Sequence, residues 1–134
     1  MNDESGMMNA ERKLILDNDK RDLKKRTEEF ALRIIHMFSS LPKTAEAQVL
    51  GKQVLRSGTS VGANYREASR GRSKAEFIAK LGDCLKELDE TDYWLSLLVK
   101  SEIIPSSLME SLINETNQLT AIMVAIIKKT KEKM

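Results

Sequence analysis

The sequence predicts an all-α protein, folded as an antiparallel up-down-up-down four-helix bundle. Three observations lead there. Apolar residues recur at helical spacing through four long segments. Short breaks at Pro42, Gly71 and Pro105 separate those segments. The 134-residue chain holds only two prolines and six glycines, and its apolar residues are mostly Leu, Ile, Ala, Val and Met. No strand-like alternation survives anywhere. Short connections make successive helices antiparallel neighbours.

Residues 1–19 are polar and weakly periodic, and are read as a flexible acidic tail preceding a bundle domain over 20–134. The first helix is expected over 22–40, with Leu23, Thr27, Phe30, Ile34, Met37, Phe38 and Leu41 on its buried face and Pro42 as its stop. Thr44 is a suitable N-cap for the second, over 44–69. Ala47, Leu50, Val54, Gly58, Val61, Tyr65 and Ala68 form its stripe. Gly51, Gly58 and Gly62 each cost about 1 kcal/mol relative to alanine in a helix. A helix carrying all three is either broken or pressed against a neighbour, and the unbroken apolar period favours contact. Ser73 and Glu76 have capping-box spacing and open the third helix, over 73–102. Its face is Phe77, Leu81, Cys84, Leu85, Leu88, Leu95, Leu98 and Val99. Pro105, Ser106 and Ser107 start the fourth, over 106–131, which buries Leu108, Leu112, Leu119, Ile122, Met123, Ile126 and Ile127.

Catalytic and metal chemistry find no support in the residues. A di-iron bundle needs Glu-x-x-His on two helices, and this chain has one histidine, His36, preceded at that spacing by Arg33. Cys84 lies on an apolar stripe and is read as a small buried hydrophobe, not a nucleophile. The glycines from 58 to 62 lack the Lys-Ser or Lys-Thr of a phosphate loop. The expectation is therefore a protein without catalytic residues, bound metal or cofactor. One cysteine and no apolar run near the roughly 20 residues of a membrane span point to a cytoplasmic protein with no membrane contact.

Charge is more informative in its distribution than in its total, which is +2 from 22 basic and 20 acidic residues. Base clusters at Lys20, Arg21, Lys24, Lys25 and Arg26, then at Arg66, Arg70, Arg72 and Lys74, then at Lys128, Lys129, Lys131 and Lys133. A single cluster is ordinarily a solvated helix face. Three in one small domain favour an anionic partner, and the first two are taken as candidate nucleic-acid contacts. The last suits a helix C-terminus. A second feature is a polar stripe, Arg56, Ser60, Asn64 and Glu67, facing Lys80, Glu87, Glu90 and Thr91. Pairing the two helices about residues 71 and 72 sets Arg56 level with Glu87 and Glu90. It also sets position 64 near 79 or 80, which puts Asn64 or Glu67 within reach of Lys80. With the small residues around it, the stripe predicts a close-packed seam between helices or subunits. Tyr93 and Trp94 are adjacent, so both cannot face one core, and at least one is expected to pack on a neighbour or sit at an interface.

Four segments together resemble a known family: LPKTAEAQVLGKQ (41–53), RSGTSVGANYREA (56–68), SKAEFIAKL (73–81) and KELDETDYWLSLL (86–98). The chain is similar to bacterial four-helix-bundle proteins related to the 23S rRNA intervening-sequence protein, over about residues 22–127. The resemblance implies a ring-shaped homopentamer. It also implies that Arg56, Ser60, Asn64, Glu67, Phe77, Lys80, Glu87, Glu90, Thr91, Tyr93 and Trp94 serve fold or assembly. One branch of that family is the accessory protein of diversity-generating retroelements, which binds nucleic acid and a reverse transcriptase. The combined expectation is a non-enzymatic homo-oligomer that binds structured RNA or other nucleic acid. The alternative is a scaffold that binds a protein partner without nucleic acid.

Overall fold

The computed structural model describes residues 23–134; the acidic tail and the contacts assigned to Lys20 and Arg21 lie outside the described residues. Helix α1 spans 23–39 of the described chain, followed by α2 (Ala45–Ser69), α3 (Lys74–Lys100) and α4 (Ser106–Glu132). The four run alternately up and down, as the apolar stripes predicted. Leu23, Phe30 and Ile34 of α1 are buried with Val54 and Val61 of α2, Leu81, Leu88 and Leu95 of α3, and Leu119 and Met123 of α4. Within each set the spacing is four or seven residues, one or two helical turns, which keeps one face of each helix on a common axis. Leu108 departs from expectation: it is 74% exposed, while Met109 takes the buried place.

Local chemistry sets the boundaries. Thr44 caps α2 by accepting from the Ala47 N–H at 3.4 Å. Ser73 caps α3 by accepting from the Glu76 N–H at 3.1 Å. The reciprocal arm of the capping box is shifted by one residue, since Glu76 accepts from the Arg72 N–H at 2.6 Å. The third helix ends at Lys100, two residues before the expected Glu102. Glu102 takes a left-handed conformation (φ 62°). The Ile103 N–H then donates to the Leu98 carbonyl at 3.1 Å and the Glu102 N–H to the Val99 carbonyl at 2.9 Å. This is the Schellman arrangement, with glutamate where glycine is usual. Glu102→Gly removes the Cβ penalty at that position. It should raise stability by about 1 kcal/mol in urea unfolding; an unchanged or lower midpoint would contradict the strain.

The glycines of α2 do not break it. A Cβ on Gly58 would lie 2.7 Å from Cγ1 of Ile34, and one on Gly62 would lie 3.3 Å from Oγ1 of Thr27. A Cβ on Gly51 would meet Phe38 at 2.9 Å. All three therefore face α1. The expected seam combines small residues and polar residues on one helix pair, but the fold divides them. The glycines press α2 onto α1, and the polar stripe faces α3.

Candidate nucleic-acid interface

Up-down topology gathers alternate helix ends. Arg66, in the last turns of α2, lies 3.4 Å from Glu28 in the first turns of α1. Lys74, opening α3, donates from Nζ to the Lys133 carbonyl at the end of α4, at 3.1 Å. The 70–73 turn joins α2 to α3 at the same place. The start of α1, the end of α2, the start of α3 and the end of α4 therefore share one pole of the bundle. Residues 23–30, 63–80 and 123–134 carry twelve basic side chains against five acidic ones. The remaining described residues carry six basic and nine acidic. The described members of three clusters far apart in sequence gather at one cationic pole, while the other described residues are slightly acidic.

Within the pole the side chains play different parts. Lys24, Lys25, Arg70, Arg72, Lys74, Lys128, Lys129, Lys131 and Lys133 are exposed. Arg26 is turned to α4, donating to Glu115 at 2.8 and 2.9 Å and to Gln118 at 2.9 Å. A bidentate pair of this kind clamps α1 against α4. Arg33 adds a bond to Ser111 at 2.8 Å in the same groove. Sequence reasoning assigns the C-terminal lysines to a helix C-terminus and so leaves them out of the candidate interface. The antiparallel topology that it predicts is the signal that brings them there.

The α2–α3 seam has the predicted register. Arg56 donates to Glu87 at 3.2 Å and to Glu90 at 2.5 Å, and Lys80 donates to Glu67 at 3.3 Å. Lys80 also lies 3.8 Å from Asp83. Ser60 turns back to its own helix, donating to the Arg56 carbonyl at 2.7 Å, and Asn64 is half-buried beside it. Beneath these charges Thr91 Oγ1 hydrogen-bonds Ser57 Oγ and the Glu87 carbonyl, each at 2.8 Å. Both hydroxyl residues are fully buried. Ser57 is the network member that sequence reasoning misses; as a small residue it carries no signal separate from its neighbours. Tyr93 is 57% exposed and stacks edge-on against half-buried Trp94, with ring centroids 5.0 Å apart. The Trp94 Nε1–H is buried without a hydrogen-bond partner.

These pairs decide the weight of Arg56. Its side chain is 48% exposed, and Glu87 and Glu90 are 17% and 35% exposed. Half-exposed ion pairs contribute up to ~1 kcal/mol. Arg56→Ala should lower the thermal midpoint by only a few degrees. A destabilisation above ~3 kcal/mol would mean that another surface buries the pair.

Cys84 is fully buried and donates weakly to the Val61 carbonyl, with Sγ 3.6 Å from the oxygen. Burial, with Asp83 adding to it, pushes its thiol up from 9.0 to about 12. The folded chain thus keeps this proton where the unfolded chain loses it. That stability is complete below about pH 9 and is lost as pH rises towards 12. Stability should fall across that window in wild type and fall less in Cys84→Ala. At neutral pH the thiol should resist alkylation until the chain unfolds; rapid native labelling would contradict the burial. His36 is exposed on α1. Among the described residues no group of three or more His, Cys, Asp or Glu could hold a metal ion, and no helix is long and apolar enough to cross a membrane.

Comparison with known proteins agrees with this architecture. No curated protein matches the chain. A solved structure from Bacteroides thetaiotaomicron, described as a protein of unknown function from the S23 ribosomal protein family, is 42% identical, with a TM-score of 0.77. The match covers 82% of this chain and 98% of that one. The family model for the 23S rRNA-intervening sequence protein matches residues 19–125. With the helix order, the seam register and this match together, the chain belongs to the 23S rRNA-intervening sequence protein family.

Proposed function

We propose that this chain is a non-enzymatic nucleic-acid-binding module whose basic pole engages the phosphate backbone of structured RNA or other nucleic acid. The observation that carries the reading is the convergence of three basic clusters on one end of the bundle. Lysine and arginine supply the sequence-independent electrostatic part of nucleic-acid affinity. The working form in this proposal is a ring-shaped homopentamer. Val49 and Tyr93, on adjacent helices, are 62% and 57% exposed, and they offer apolar surface for contact between copies. A ring repeats the pole around its axis, so weak phosphate contacts act together.

Titration of a fluorescent RNA hairpin at low salt and again at roughly fourfold higher salt tests the reading, with particle mass followed by light scattering. Binding at low salt that weakens steeply at high salt is expected, from a particle larger than one chain. A monomer at micromolar concentration would remove the ring. No binding even at low salt would remove the nucleic-acid reading and leave a protein-binding scaffold in its place.

A further inference from the structure

Resting on that reading, we infer that the basic pole selects double-helical nucleic acid over single strands, gripping phosphates of both strands and leaving the bases alone. The breadth of the pole is the first ground. Its exposed cations come from the ends of all four helices: Lys24 and Lys25, Arg70, Arg72 and Lys74, and the α4 lysines. Packed helix axes lie about 8–10 Å apart, so a four-helix end is roughly 20 Å across. A single strand offers one phosphate per ~3.4 Å along one track, whereas a duplex offers one per ~1.7 Å of axis on two. A broad cationic end matches the second distribution.

The second ground is what the pole lacks. Single-strand sites gain roughly 1–3 kcal/mol per base by stacking on aromatic rings. Residues 1–22 contain no Phe, Tyr or Trp. At the pole itself Tyr65 is 4% exposed, and half-buried Phe77 packs on the core. Tyr93, the exposed aromatic of the described residues, is 19 positions beyond Lys74 on α3, about 28 Å along the helix. No base bound at the pole can reach it. Lysine and arginine contacts to phosphate do not require a 2′-hydroxyl, so duplex RNA and duplex DNA are two sources of the same chemistry.

The full-length chain should be titrated, at one low salt concentration, with a blunt RNA duplex of about 20 base pairs, the matching DNA duplex and each separated strand. Either duplex is expected to bind at least about tenfold tighter than its own strands. The ratio should shrink as salt rises, because the duplex slope is the steeper. Single strands that bind as tightly as both duplexes would overturn the inference and leave the nucleic-acid reading intact. No binding by any probe would overturn both. The two duplex arms identify the source: tighter RNA duplex binding points to A-form geometry, and equal binding to phosphate density alone, and both support the inference.

Discussion

Reversing two charges at the basic pole, Arg70→Glu with Arg72→Glu, should weaken binding to a duplex or hairpin roughly 100-fold at low salt. Removing one phosphate-binding cation takes about one unit off the slope of log affinity against log salt. Reversal adds repulsion to that effect. Neither side chain is needed for the fold, since both are exposed and the α3 start is held by Ser73 and Glu76. Arg66 is a poorer choice because its pairing with Glu28 ties α2 to α1. The control is Lys43→Glu with Lys52→Glu, which changes net charge equally on exposed sites away from the pole. If total charge alone governs binding, both double variants weaken alike. If the pole is the interface, the control weakens less than about threefold. Equal weakening, with both variants melting like wild type, would remove the pole from the mechanism.

The second large effect is on stability. Gly58→Leu should cost about 3 kcal/mol or more, and Gly58→Ala about 1–3 kcal/mol. Alanine ordinarily gains about 1 kcal/mol over glycine within a helix, so the sign depends on space. At Gly58 the new methyl would sit 2.7, 3.0 and 3.1 Å from Cγ1, Cγ2 and Cδ1 of Ile34. Ile34 is fully buried and branched at Cβ, so it cannot swing aside without straining χ1. Gly82 provides the internal control. Nothing lies within 4 Å of a Cβ built there, so Gly82→Ala should stabilise by up to ~1 kcal/mol. Coupling identifies the partner: Ile34→Ala with Gly58→Ala should be at least ~1 kcal/mol more stable than the sum of the single changes predicts. Additive effects would show that the α1–α2 approach is not what excludes a side chain from position 58.

The fold and part of the site are legible in the sequence for a definite reason. Helical period, caps and breakers are local, and residues such as Thr44, Ser73 and Pro105 act within a turn of themselves. The seam is legible too. A tight turn at 70–73 makes α2 and α3 mirror one another, so counting outward sets Arg56 against Glu87, with Glu90 one turn on, and brings Glu67 within one turn of Lys80. Tertiary structure alone decided which neighbour each face of α2 meets. Gly51, Gly58 and Gly62 face α1, while Ser57, the residue next to Gly58, reaches Thr91 of α3. Sequence spacing gives an angle about one axis and not the positions of the other axes. The same holds for Arg26, a basic-cluster residue in sequence that proves to be a clamp on Glu115, and for the basic pole. Composition and period determined four antiparallel helices. Their packing in three dimensions brought Lys74 beside Lys133 and turned separate patches of charge into one surface, because only folding sets the distance between residues far apart in the chain.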